Sequence, residues 1–201
     1  MICDAGHDCL RTNNINGLPQ LQDYQDTDFE SDVIPHQHQA IIPSYRFDCC
    51  GNITEWGAHV QPGGGNDDMM YTLDFQVWRP SPTVESTGCY SLVGSNRFTS
   101  VPLNDRVALV TPLPQERIQF QPGDVLGFYV ESAREGDRGV VVLNERRDNG
   151  YETEEVWHAD ISNAVIPNLN CPFPVGSSRV LNTFTNAAPV ISVSYSKSTD
   201  P

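Results

Sequence analysis

Six cysteines constrain this chain more than any other feature, and two of them are adjacent, Cys49-Cys50. The others are Cys3, Cys9, Cys89 and Cys171. An even number of cysteines in a strand-rich chain of this size reads as a disulfide framework formed in an oxidising compartment. Neighbouring cysteines seldom bond each other, because the small ring distorts the peptide between them. Cys49 and Cys50 are therefore expected to reach different partners, tying the centre of the chain to the N-terminal segment and to Cys89 or Cys171. The sequence does not choose among the pairings. The rival use of such residues is metal ligation, but no CxxC pair and no Cys/His set with zinc spacing is present.

The pattern of the rest is that of a single all-β domain. The 201 residues suffice for one good core. Over 70–78, Tyr71, Leu73, Phe75 and Val77 alternate with Thr72, Asp74 and Gln76, giving one apolar and one polar face. Arg79-Pro80-Ser81-Pro82 ends that strand, since proline donates nothing to a ladder. Further strands are expected at 40–47, 53–60, 89–93, 106–111, 117–120, 125–130, 140–143, 154–158 and 190–195. The last should pair far back in sequence. Gln121-Pro122-Gly123-Asp124 suits a type II turn, in which the glycine takes positive φ. Loops are marked by Gly63-Gly64-Gly65-Asn66-Asp67 and Asp148-Asn149-Gly150. No segment keeps helical periodicity over three turns, so the expected fold is one antiparallel β-sandwich of jelly-roll type. Its core is expected to hold Ile53, Trp56, Leu73, Phe75, Val77, Leu92, Val107, Leu109, Ile118, Phe120, Leu126, Phe128, Val130, Val141 and Ile191. Residues 1–38 read as an irregular segment anchored by Cys3 and Cys9, 39–196 as the sandwich, and 197–201 as a tail.

Charge excludes some functions. Acidic residues outnumber basic ones 26 to 12, a formal net charge of -14 at pH 7. That surface repels nucleic-acid backbone and anionic membranes. No apolar run is long enough to span a bilayer. The first residues lack the basic start and apolar stretch of a signal peptide. The chain thus reads as a mature form or a module of something longer. Asn52-Ile53-Thr54 is an N-glycosylation triplet and agrees with an extracellular setting.

The candidate chemistry is sparse. Neither Gly94-Ser95 nor Gly176-Ser177-Ser178 completes a nucleophile elbow. Oxidised cysteines are not thiolate nucleophiles. His36 and His38 share a strand face, but no third metal ligand accompanies them. Calcium is the cofactor the residues could serve. Asp26, Asp28 and Glu30 alternate along one stretch, and Asn66, Asp67 and Asp68 follow three glycines that let carbonyls turn inward. The first stretch lacks the EF-hand glycine and glutamate, and the plainer reading of the second is a flexible, acidic turn between two strands. Trp56 and Trp78 are expected in the core rather than on a sugar-stacking platform, with Trp157 a third tryptophan. The mixed charges of 132–150 read as a solvated surface.

Five stretches together carry a resemblance: Cys50-Gly51-Asn52-Ile53-Thr54-Glu55-Trp56, Phe75-Gln76-Val77-Trp78-Arg79-Pro80, the run from Cys89 to Asn96, the run from Gln121 to Tyr129, and Cys171-Pro172-Phe173-Pro174-Val175-Gly176 with the run from Ala188 to Val193. In this order they resemble an extracellular module of large cell-surface and matrix proteins of sponges, cnidarians and other marine invertebrates. The resemblance covers residues 45 to 195 and implies secretion and a non-enzymatic role, with no catalytic or binding residues to carry over. The Gly-Asp before an apolar strand is also similar to the complement and tumour-necrosis-factor class of jelly rolls. The expected function is adhesion, recognition or matrix assembly, through an extracellular protein, a glycan or copies of the chain itself. The alternatives are a calcium-dependent carbohydrate-binding module and a self-assembling protein of an extracellular or mineralised matrix. Residues 62–69 and 132–150 are the expected partner-facing loops.

Overall fold

The computed structural model describes residues 10–11, 33–34, 38–59, 71–80, 90–99, 107–132, 141–144, 156–160, 182–184, 188–189 and 191–197. They form fourteen strands: β1 (Leu10–Arg11), β2 (Val33–Ile34), β3 (His38–Phe47), β4 (Gly51–His59), β5 (Tyr71–Pro80), β6 (Tyr90–Thr99), β7 (Val107–Val110), β8 (Gln119–Phe120), β9 (Val125–Ser132), β10 (Val141–Asn144), β11 (Val156–Asp160), β12 (Asn182–Phe184), β13 (Ala188–Pro189) and β14 (Ile191–Lys197). One 3-10 turn, Pro114–Glu116, precedes β8. The described chain is all-β and every strand pair is antiparallel. Among the described residues no helix is long and apolar enough to cross a membrane.

The larger sheet runs β12-β11-β3-β9-β5-β6, with β1 added to β3. A smaller sheet runs β14-β4-β7, with β8 also paired to β4, and a third runs β13-β10-β2. As the sequence suggests, the terminal strand β14 reaches back to β4, with Val193 opposite Trp56. The N-terminal stretch contributes two two-residue strands, Leu10 standing opposite Phe47 and Val33 opposite Val142.

One buried cluster joins the two main sheets. It takes Ala40, Ile42, Tyr45 and Phe47 from β3, Leu73, Phe75 and Val77 from β5, and Leu126, Phe128 and Val130 from β9. From the other side come Ile53, Trp56 and Ala58 of β4, with Ile118 and Phe120. Each fully buried Ile, Leu or Phe side chain contributes roughly 1.5–3 kcal/mol relative to exposure. Aromatic pairs fix the relative position of the strands. Phe47 stacks on Phe120 at 3.9 Å, and Tyr195 meets both edge-on at 6.1 and 5.7 Å. Trp56 stacks on Phe75 at 5.3 Å. Such pairs add about 0.5–1.5 kcal/mol beyond their burial.

Two residues expected in the core are outside it. Leu92 is 48% and Leu109 56% exposed. The pairing of β5 with β6 shifts between Val77 and Trp78, so that Gly94 faces Val77 while Leu92 faces Trp78. The extra residue, Val93, reverses the in-out alternation and turns Leu92 away from the main cluster. In β7 the register with β4 puts Val110 opposite Trp56 and Leu109 opposite Gly57, so Val110 takes the core side. Val107, Val141 and Ile191 also lie in strands, but their side chains fall outside the description.

Candidate functional site

The polar side of β5 is not a solvated face. Asp74, Gln76 and Gln39 are buried along with Trp78. Trp78, Ile41, Tyr90 and Val125 form a second, smaller apolar cluster on this side of the larger sheet. Gln39 Nε2 donates to Gln76 Oε1 at 2.5 Å and to the Phe128 carbonyl at 2.8 Å. Trp78 Nε1 donates to the same Gln76 oxygen at 2.9 Å. The indole lies over Gly127. A Cβ there would stand 2.8 Å from Trp78 Cδ1 and 2.6 Å from the Ala40 carbonyl oxygen, so the position accepts glycine only.

Farther along the same face, register brings charged groups together across three strands. Tyr129 of β9 and Arg97 of β6 both stand opposite Asp74 of β5. Arg97 Nε and Nη2 donate to the two Asp74 oxygens at 2.7 and 2.8 Å, and Nη2 lies 3.2 Å from Glu131. The hydrogen bonds to Asp74 and then its charge hold the Arg97 pKa above its ordinary value. Burial pushes the Tyr129 phenol up; the Glu131 and Asp74 carboxylates add to this and Arg97 opposes it. Arg97 keeps 58% of its side chain in solvent, so the cluster is a buried polar base with a charged, accessible rim.

A third polar assembly organises the turn at one end of β9. Gly123 has φ +95°, and Asp124 N–H donates to the Gln121 carbonyl at 3.1 Å, which is the type II turn the Pro-Gly pair predicts. Phe47 N–H donates to the Asp124 carbonyl at 2.8 Å, and Gly123 N–H to the Phe47 carbonyl at 2.7 Å, docking the turn on the end of β3. The Asp124 carboxylate, fully buried, accepts from Gln121 N–H at 2.9 Å and from Arg79. Its contact raises the Arg79 pKa, with burial opposing. Between the sheets, Trp56 Nε1 donates to Asn96 Oδ1 at 2.8 Å, and Asn96 Nδ2 to the Glu116 carbonyl at 2.9 Å.

In these assemblies Arg97 pairs with Asp74 and Glu131, and Arg79 pairs with Asp124. The sequence does not single out Asn96, Arg79 or Asp124. The available signals were an arginine directly before Pro80 and an aspartate directly after the Pro-Gly turn. Trp56 and Trp78 are buried, as expected, and neither offers a face for stacking a sugar.

Of the six cysteines, Cys49 and Cys50 fall within the description and neither is a free thiol. Cys49 is buried in the main cluster, directly after the Phe47 end of β3. Cys3, Cys9, Cys89 and Cys171 lie outside the described residues, as do the calcium candidates Asp26, Asp28, Glu30, Asn66, Asp67 and Asp68. So do His36, residues 62–69 and most of 132–150. Among the described residues no group of three or more His, Cys, Asp or Glu side chains could hold a metal. Asn52 lies half-exposed in β4, opposite Gln119 and Ser196. The chain matches no protein-family model, no curated protein and no solved structure.

Proposed function

We propose that this chain is a disulfide-held β-sandwich of jelly-roll type that acts outside the cell as a rigid, non-enzymatic module in adhesion, recognition or matrix assembly. One observation carries the reading: neither member of the Cys49-Cys50 pair is a free thiol. Persistent oxidation belongs to the secretory route and the cell exterior. The shared cluster of β3, β5 and β9 with β4, Ile118 and Phe120 supports the sandwich, and the resemblance to marine-invertebrate surface modules points the same way. The mechanism is presentation: a cross-linked scaffold keeps its loops in place, so binding loses little to their ordering.

The test is a thiol count. The chain is expressed with a secretion leader, alkylated under denaturing conditions with and without prior reduction, and weighed intact. The expected result is no alkylation before reduction and alkylation of every cysteine after it. Free Cys49 or Cys50 in the secreted protein sinks the proposal.

A self-assembling matrix protein is the second reading, and the end position of β6 in the larger sheet favours it. This strand has Leu92 exposed and contains no acidic residue. Terminal strands of this kind pair between copies. Sedimentation across a concentration series separates the two, since a monomer at all concentrations removes the second.

A further inference from the structure

The geometry points to Asn52 as the attachment site of an N-linked glycan that covers the outward face of the smaller sheet and so directs partners to other parts of the module. This inference rests on the extracellular reading above and deepens it. Asn52-Ile53-Thr54 is the only Asn-X-Ser/Thr triplet in the chain. A triplet alone is weak, and its place in the fold adds the rest.

Ile53 is fully buried in the core, so the alternation of β4 sends Asn52 to the opposite, outward side. Its two cross-strand neighbours, Gln119 of β8 and Ser196 of β14, are both exposed. Among the described residues the Asn52 side chain has no hydrogen-bond partner, so a sugar on Nδ2 displaces nothing. Thr54 sits at an irregularity. The register with β14 runs from Ser194 opposite Glu55 to Tyr195 opposite Ile53, which leaves Thr54 as the extra residue. A bulge bends the strand and re-aims side chains, and here both Thr54 and the exposed Glu55 fall between two core residues, Ile53 and Trp56. On the opposite edge, β4 changes partner along this same stretch, from β8 at Asn52 to β7 at Trp56.

Chain order gives the modification its opportunity. The strand that closes over one edge of β4 is β14, Ile191–Lys197, the last in sequence. While the chain emerges, β4 lacks that partner and the triplet remains extended and open. The transfer uses a lipid-linked oligosaccharide diphosphate of the secretory pathway. The Asn52 amide nitrogen bonds the anomeric carbon as the bond from that carbon to the diphosphate oxygen breaks. The amide proton passes to a base of the transferring enzyme and the lipid diphosphate departs, with no change of oxidation state. The folded module then carries a bulky, hydrated group on the β14-β4-β8 face. The rim at Arg97 and Glu131 and the edge strand β6 belong to the other sheet.

The test weighs the full chain secreted from eukaryotic cells, before and after enzymatic removal of N-glycans in heavy-oxygen water. The expected result is one glycan per chain, with Asn52 recovered as labelled aspartate. Thr54→Ala and Asn52→Gln should lose that mass, and Thr54→Ser should keep it. Because the wild-type chain is mapped directly, a variant that fails to fold does not decide the matter. A secreted chain with fully oxidised cysteines and an unmodified Asn52 overturns this inference and leaves the extracellular module standing. A chain that is retained in the cell, or secreted with free thiols, overturns both.

Discussion

Arg79 grips Asp124 with two hydrogen bonds, Nε to Oδ1 at 2.8 Å and Nη2 to Oδ2 at 2.9 Å, across 45 residues of chain. The aspartate is fully buried while the arginine side chain keeps 39% of its surface in water. The pair therefore joins the end of β5 to the turn before β9, and that turn is bonded in its own right to Phe47. One carboxylate thus ties three strands together at a single point.

Removing the arginine leaves the carboxylate buried with only the Gln121 N–H as a named partner. Breaking a buried ion pair costs about 3–5 kcal/mol, and the exposure of Arg79 lowers the expectation to about 2 kcal/mol. Arg79→Ala should lower the urea midpoint accordingly. Arg79→Lys should recover little of the loss, because an ammonium cannot form the two-pronged contact. A wild-type midpoint in Arg79→Ala would show that the contact contributes nothing.

Gly127 is required by its neighbours rather than by its own backbone. Gly127→Ala places a methyl against the Trp78 ring and the Ala40 carbonyl. Over-packing of this kind costs roughly 1–3 kcal/mol. The indole must also move from its bond to Gln76, so tryptophan fluorescence should shift along with the loss of stability. Trp78→Phe in the same chain relieves only the ring contact, and the close approach to Ala40 remains.

The inter-sheet bridge predicts a third outcome. Asn96→Ala strands both the Trp56 N–H and the Glu116 carbonyl. An unsatisfied buried polar group costs about 1–3 kcal/mol. Asn96→Asp keeps an acceptor for the indole at any pH but a donor to Glu116 only while its carboxyl is protonated, so it should recover part of the alanine loss at acidic pH and less of it at neutral pH. Equal stability of all three chains by thermal melting would remove the bridge from the account.

Much of this architecture can be read from residues alone, and the failures share one cause. Leu73, Phe75 and Val77 announce their strand and its inward face, and Pro122-Gly123 announces its turn, because both signals are local. Leu92 misleads because alternation carries no mark of the extra residue at Val93, and one inserted residue reverses every side chain beyond it. Val107 to Val110 are all apolar, so only the register against Trp56 tells which side faces the core. Asp74 and Gln76 look like a solvated face until β9 and β6 bring Tyr129 and Arg97 opposite Asp74, 55 and 23 residues away in sequence. Pairing at that distance is a property of topology and leaves no trace in a window of neighbours.

Tyr129 supplies a pH dependence whose sign follows from its surroundings. Burial and the nearby Glu131 and Asp74 carboxylates hold the phenol above its ordinary value of 10.0. In the unfolded chain the same phenol ionises first, so above about pH 10 the unfolded state binds fewer protons than the folded one. The stability that Tyr129 contributes is complete below pH 10 and is lost as pH rises through the folded value. Tyr129→Phe removes this proton linkage. Urea midpoints measured from pH 8 to 11 should therefore fall less steeply in the variant than in the wild type, with the difference confined to the alkaline end. Parallel curves across that range would mean that the phenol titrates alike in both states, and that the charged rim at Asp74, Arg97 and Glu131 exerts no net effect on it.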